Sequence, residues 1–329
     1  MTDIFGTIGP ACSNEETIRK MFESGMTGVR FNLSHSMLED NEKLIETVRR
    51  LGKQAGIVPK ILIDLQGPEL RIGSFEKEKM LSEGDIVTFG EDEIPLSGNI
   101  LCALGKDMEI LLDDGKILCH VVENDGKAAK AKVDRGGLLK SRKSIAIKDI
   151  DIEMNTLTDS DMQNIKCAIN NGITGIMQPF VRERRDVITL KDILKKEKAS
   201  NIEVYSKIEN QRGLEKLDEI ILECDELIIA RGDLGNVVPL WELPGIQKRI
   251  AKRCSNSKKR FMVVTQMLSS MENNPVPTRA EVSDIFNAIL DGASSVMVTG
   301  ETAVGKYPDK VISYLKRTVE CAEKFQRNI

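Results

Sequence analysis

Ser206-Lys207-Ile208-Glu209-Asn210 and Ala230-Arg231-Gly232-Asp233-Leu234-Gly235 each set a carboxylate just past a short apolar run, Glu203 to Lys207 in the first case and Glu226 to Ala230 in the second. In a chain with only two histidines, carboxylates so placed point to a hard-cation site built from oxygen ligands. Magnesium takes one or two carboxylates, keeps several waters and accepts its remaining oxygens from a phosphate-bearing substrate. Lys207, two residues before Glu209, adds a mobile positive charge, and the combination suits the handling of phosphate. The same runs decide the fold. Residues beyond the carboxyl ends of parallel strands meet around one crevice, so Lys207, Glu209 and Asp233 can converge despite their separation in sequence.

Outward from these two runs the rhythm repeats. Short β-branched stretches at Ile4 to Thr7, Thr27 to Leu33, Pro59 to Leu65, Gly172 to Gln178, Phe261 to Thr265 and Ser294 to Val298 alternate with longer amphipathic segments. Eight such runs, too apolar for a sheet wetted on one face, imply an α/β fold: a closed (β/α)8 TIM barrel covered by helices. Capping-box patterns at Ser13-x-x-Glu16 and Thr278-x-x-Glu281, with Thr158-x-x-Asp161 as an acidic relative, mark helix starts. From Ile72 to Asp149 the rhythm breaks. Short runs there, such as Asp85 to Phe89 and Ile110 to Leu112, are separated by turn signals at Glu83-Gly84, Asp113-Asp114-Gly115, Asn124-Asp125-Gly126 and Gly136-Gly137. This reads as an inserted small β-barrel domain that enters after the third strand and serves as a lid over the barrel mouth; a passive decoration is the plainer alternative. The basic exit Lys140-Ser141-Arg142-Lys143 favours the lid. The expected domains are therefore 1–71, first part of the barrel; 72–149, the β lid; and 150–329, the rest of the barrel.

Composition narrows the function. The 47 Lys and Arg against 51 Asp and Glu leave a net charge of -4, so there is no general attraction to nucleic acid or anionic membrane and any anion site is local. Seven cysteines, odd in number and never in a C-x-x-C pair, argue against a disulfide framework and a zinc knuckle and fit a reducing cytoplasm. No basic-then-apolar leader opens the chain, and runs such as Leu227 to Ala230 are far too short to span a bilayer.

Thr7-Ile8-Gly9-Pro10-Ala11, Arg30-Phe31-Asn32-Leu33-Ser34-His35, Ile63-Asp64-Leu65-Gln66-Gly67-Pro68-Glu69-Leu70-Arg71 and Ser206 to Asn210 occur in that order. Ala230 to Gly235, Thr265-Gln266-Met267-Leu268, Pro277-Thr278-Arg279-Ala280-Glu281 and Gly300-Glu301-Thr302 continue the series. Together they resemble the pyruvate kinase family over nearly the whole chain, and eight ordered motifs are specific where any one alone is not. Members usually carry a further C-terminal α/β domain with effector sites and a subunit interface. The chain stops after the last barrel helix, which suggests a homodimer without a sugar-bisphosphate response.

The resemblance implies phosphoryl transfer from phosphoenolpyruvate to ADP, then protonation of the enolate to pyruvate, as part of glycolysis. It assigns Mg2+ to Glu209 and Asp233, stabilisation of the moving phosphoryl group to Lys207, and contact with the transferred phosphate to Arg30. Gly232 and Asp233 would receive the substrate carboxylate, and Thr265 would lie on the proton path. K+ would sit on Asn32, Ser34, Asp64 and the Leu65 carbonyl, while His35, Arg71 and Lys143 would approach the nucleotide phosphates of ADP or ATP. Glu69 stands where members carry an acid or a lysine, and the acid implies K+ dependence. Plainer readings stand beside these: Lys207 as a salt-bridge partner of Glu209, Gly232 to Gly235 as a β–α turn, Thr265 bonding backbone, Glu69 pairing with Arg71. His120 has no such support and is expected on the insert surface. The chain departs from the family pattern at Asn236-Val237-Val238 and, mildly, at Thr299. Rival functions are an aldolase or lyase of phosphoenolpyruvate or pyruvate on the same barrel, and a catalytically silent regulatory relative.

Overall fold

The computed structural model describes residues 1–34, 36–90, 93–113, 115–147 and 155–328. Eight strands, β1 (Asp3–Ile8), β2 (Gly28–Asn32), β3 (Lys60–Asp64), β4 (Gly175–Gln178), β5 (Glu203–Ile208), β6 (Glu226–Ala230), β7 (Arg260–Val264) and β8 (Ser295–Val298), close into a barrel. Every neighbouring pair is parallel, and each strand lies beside its successor in sequence. The eight runs expected from the sequence overlap these strands. The fourth begins three residues later than expected, because Gly172 at φ +58° closes the preceding helix. The seventh ends one residue early, at Val264, because Thr265 leaves the extended region.

Helices follow the strands because their apolar residues recur at helical spacing. In Glu15–Glu23 it is Ile18, Met21 and Phe22 that are buried, and in Pro308–Arg327 it is Val311, Ile312, Leu315, Val319 and Ala322. Thr158 and Thr278 form the expected capping boxes with Asp161 and Glu281. At the first helix the expectation fails by one residue: Asn14, not Ser13, is the N-cap and its side chain accepts the Thr17 N–H.

Alternate residues of the strands fill the barrel. Phe5, Leu62, Met177, Tyr205, Ile228, Met262 and Met297 form one buried cluster. The two rings need space that neighbouring strands supply by omission. A Cβ on Gly175 would lie 2.5 Å from the Tyr205 ring, and one on Gly28 would lie 2.3 Å from Phe5. At the amino ends of the strands sits a polar layer. Tyr205 donates to Glu203 (2.8 Å), Arg260 pairs with Glu203 (2.6 Å), and Lys60 pairs with Asp3 (2.7 Å). Glu226, 1% exposed, accepts the Ser295 hydroxyl and lies 3.5 Å from Arg260. Burial raises its pKa, with Ser295 and Arg260 opposing the rise only in part.

The chain divides into two compact units: Met1–Gly67 with Thr156–Leu234 and Leu240–Ile329, and Pro68–Asn155 with Gly235–Pro239. The inserted unit begins before residue 72 because the Leu70 carbonyl accepts the Ile145 N–H (3.0 Å) and Arg71 bridges Ser144. It also takes in Gly235–Pro239, where Asn236 Oδ1 stands 2.7 Å from the place a Cβ on Gly115 would occupy. The expected boundary at 149/150 lies outside the described residues. The small β barrel expected of this segment takes the form of a five-stranded antiparallel sheet, in the order Ile145–Ile147, Glu109–Leu112, Ile117–Asn124, Ala129–Arg135, Ile86–Phe89, and a separate two-stranded ribbon, Lys79–Leu81 with Gly137–Leu139. Phe89, Ile110, Leu112, Val121 and Val133 belong to its own buried core.

Candidate active site

Period-two alternation carries the interior face of the strands up to a charged layer. Two residues beyond Phe5, Leu62 and Tyr205 come Thr7, Asp64 and Lys207, and Arg30 stands in register between Thr7 and Leu62. Asp64, 2% exposed, accepts from Arg30 through Nε (2.9 Å) and Nη2 (2.6 Å) and lies 3.3 Å from the Lys207 ammonium. Arg30 Nη1 donates to the Thr7 hydroxyl (3.2 Å). Lys207 Nζ also lies 2.8 Å from Glu209, whose other carboxylate oxygen accepts the Phe180 N–H (2.8 Å).

Two cations thus face two buried carboxylates. Burial alone would raise the pKa of Asp64, but Lys207 and Arg30 outweigh it and hold the group below the usual range. Burial likewise disfavours the Lys207 ammonium, and Asp64, Glu209 and Asp233 together overcome it, so the lysine stays charged. Glu209 moves the other way: burial raises its pKa, Lys207 offsets part of this, and the charge of Asp233 adds to the rise.

β6 passes directly into the short helix Arg231–Leu234, which carries Asp233 in its first turn. The Gly232 N–H donates to Thr265 Oγ1 (2.8 Å), and that hydroxyl donates to the Val264 carbonyl (2.6 Å). Thr265 and Gln266 lie at φ +67° and +52°. Two consecutive left-handed residues, one of them β-branched, cost on the order of 1–3 kcal/mol each, and such strain collects at functional sites. The two strand ends that carry Asp233 and Thr265 are therefore hydrogen-bonded to each other.

Other sequence-assigned residues separate by unit. In the barrel unit, Asn32 Oδ1 accepts the Ser34 N–H (3.3 Å), and the Leu65 N–H donates to the Met177 carbonyl (3.2 Å). The carboxylate of Asp64 is already matched by two cations. In the inserted unit Arg71 and Lys143 adjoin: Arg71 donates to the Arg142 carbonyl (2.9 Å), the Ile72 N–H to the Lys143 carbonyl (3.0 Å), Lys143 pairs with Asp113 (2.6 Å), and Glu69 pairs with Arg71. His120, on a strand of the insert, pairs with Asp134 (2.7 Å). His35 lies outside the described residues.

Among the described residues no three His, Cys, Asp or Glu side chains gather as a metal site. Of the two assigned carboxylates, Glu209 feels the charge of Asp233. That set fits a hard divalent cation that draws its other oxygens from water and substrate, since burial, with the charge of Asp233 adding to it, disfavours the Glu209 carboxylate and such a cation would offset both. Sequence reasoning assigned no role to Thr7 or Arg231, although both stand inside quoted motifs. The signal for Thr7 was its place two residues beyond Phe5 on the inward face; for Arg231 it was adjacency to Gly232-Asp233.

A family model described as pyruvate kinase, barrel domain, matches residues 1–312. A pyruvate kinase of Thermotoga maritima is 39% identical over an alignment of 332 residues, which covers 98% of this chain and 71% of the relative. Pyruvate kinases of Staphylococcus aureus strains MRSA252 and USA300 are each 35% identical over 336 residues, covering 99% of this chain and 57% of the relative. The chain thus spans a little over half the length of the Staphylococcus relatives.

Proposed function

The chain belongs to the pyruvate kinase family, and from that premise we propose that it transfers the phosphoryl group of phosphoenolpyruvate to ADP, giving ATP and, after protonation of the enolate, pyruvate. The observation that carries the reading is the charged layer in which the Lys207 ammonium stands between the buried carboxylates of Asp64 and Glu209 beside Arg30. Loose phosphoryl transfer needs alignment and neutralisation of charge more than a strong nucleophile. Lys207, kept charged by its neighbours, stabilises the moving phosphoryl group, and Arg30, the other cation on Asp64, contacts it as well. Glu209 and Asp233 would hold Mg2+, which would supply charge neutralisation at the substrate oxygens.

The backbone N–H groups of Gly232, once it parts from the Thr265 hydroxyl, and of Asp233 receive the substrate carboxylate. The Thr265 hydroxyl moves a proton, with water, once it turns from the Val264 carbonyl. Contact with the nucleotide phosphates is assigned to Arg71, Lys143 and His35. K+ would be held by Asn32, Ser34, Asp64 and the Leu65 carbonyl. The protein works as a homodimer, to be checked by light scattering. No described helix is long and apolar enough to cross a membrane, and the setting we assign is the cytoplasm. The test is a coupled assay of pyruvate formation from phosphoenolpyruvate with Mg2+ and K+, with and without ADP. Pyruvate is expected only with ADP; none at all, or equal amounts without ADP, would refute the reading.

A further inference from the structure

We propose that Arg231 is a positioning residue for protonation: it holds Thr265 in its left-handed conformation and so sets where the hydroxyl stands relative to Gly232 and Asp233. The inference rests on the phosphotransfer reading above. The Arg231 side chain, 10% exposed, reaches from the end of β6 to the end of β7. Nη2 donates to the Thr265 carbonyl at 2.6 Å, with Nε 3.3 Å from the same oxygen, and Nη2 also lies 2.9 Å from the Met267 sulfur. Nη1 is anchored by Asp284 Oδ2 at 2.6 Å, on the helix Arg279–Leu290. The guanidinium plane is thereby fixed at one edge by a carboxylate and presents another to the carbonyl of the strained residue. A lysine has no such fork.

The far end of the turn is held separately. Glu301, 1% exposed, accepts the Leu268 N–H at 3.1 Å. Between these two fastenings stands the left-handed pair Thr265 and Gln266. Strain of this kind persists only where surrounding groups over-determine it, and here a charged donor sits on the carbonyl of the strained residue. The geometry also joins the chemistry. The residue that pins Thr265 is the neighbour of Gly232, whose N–H meets the Thr265 hydroxyl, so one side chain sets the spacing between two strand ends.

The experiment compares wild type, Arg231→Lys, Thr265→Ala and the double variant, each with Mg2+ and K+ present. Two readouts are followed: kcat and KM for phosphoenolpyruvate, and exchange of the pyruvate methyl hydrogens with solvent deuterium by NMR. In that exchange a methyl C–H bond breaks, its pair becomes the C=C bond while the carbonyl π pair moves to the enolate oxygen, the proton leaves by the Thr265 path, and a solvent deuteron returns to carbon by the reverse step. Arg231→Lys should lower kcat and the exchange rate roughly 100-fold, in line with the cost of misplacing a reacting group by about 1 Å, and change KM by less than about threefold. In the Thr265→Ala background the same substitution should have no further effect on exchange.

Asp284→Asn, which removes the anchor at a half-exposed site, should act in the same direction but more weakly, and it serves if Arg231→Lys does not fold. Unchanged kcat per folded molecule in either single variant, or an undiminished effect on top of Thr265→Ala, would overturn the inference. Failure of the wild type to form pyruvate would instead refute the underlying reading of function.

Discussion

Lys207 is the residue on which the chemistry turns. Replacing it with methionine removes the cation between Asp64 and Glu209. Asp64 keeps Arg30, and Glu209, already raised by burial, takes up a proton, so the fold should survive. Loss of an electrostatic contribution to the transition state costs on the order of 3 kcal/mol, about a 100-fold fall in kcat. Near-native pyruvate formation by folded Lys207→Met protein would remove Lys207 from the mechanism. At the other end of the barrel Glu226 makes a prediction of opposite sign to a surface carboxylate. Its folded pKa is raised above the ordinary 4.5, so the folded state holds the proton longer than the unfolded state. Stability from this group is full below the ordinary value and is lost as pH rises through the folded pKa. Glu226→Gln should therefore melt progressively higher relative to wild type as the buffer moves from about pH 5 to about pH 8; a constant or shrinking difference would show that Glu226 is stabilised as the anion.

At the scale of elements, the same cap has different stakes in different places. Asp161 and Glu281 both close capping boxes, with Thr158 and Thr278. Asp161 is fully buried and also accepts the Gln66 N–H (3.0 Å) and the Gly67 N–H (3.1 Å) just beyond β3. Asp161→Ala leaves those amides without their partner and should cost about 3 kcal/mol in urea denaturation. The Thr278 box is exposed, and Thr278→Ala should cost about 1 kcal/mol. Equal losses would mean that the bonds to Gln66 and Gly67 contribute nothing. The capping patterns themselves were legible because they are local, a hydroxyl and a carboxylate three residues apart. The displacement from Ser13 to Asn14 was not, because both residues are good caps and only the backbone at Asn14, extended at φ -90° and ψ 152°, decides between them.

At the scale of the molecule, the proposed K+ requirement rests on Asn32, Ser34, Asp64 and Leu65, all in the barrel unit. In tetramethylammonium buffer with saturating Mg2+, ADP and phosphoenolpyruvate, KCl should raise the rate at least about tenfold and NaCl much less, since cation size and ligand field set the preference. Glu69→Lys should relieve part of the requirement by supplying a cation of its own. Glu69 pairs with Arg71, and a rate already maximal before KCl is added would leave that pairing as the role of Glu69.

The sequence by itself pointed to parallel strands covered by helices, because strands buried on both faces must read as short apolar runs, and eight of them separated by amphipathic segments suit a barrel, whose closure the pairing of β1 with both β2 and β8 completes. It also placed Lys207, Glu209 and Asp233 at strand ends, since that is a matter of position along each run. Only the tertiary structure decided which charge meets which. Asp64 answers both Arg30 and Lys207, and Arg231 reaches from its own strand to the carbonyl of Thr265. These pairings join residues 34, 143 and 34 positions apart, and such distances are closed by the curvature and register of the barrel. No local pattern encodes either one.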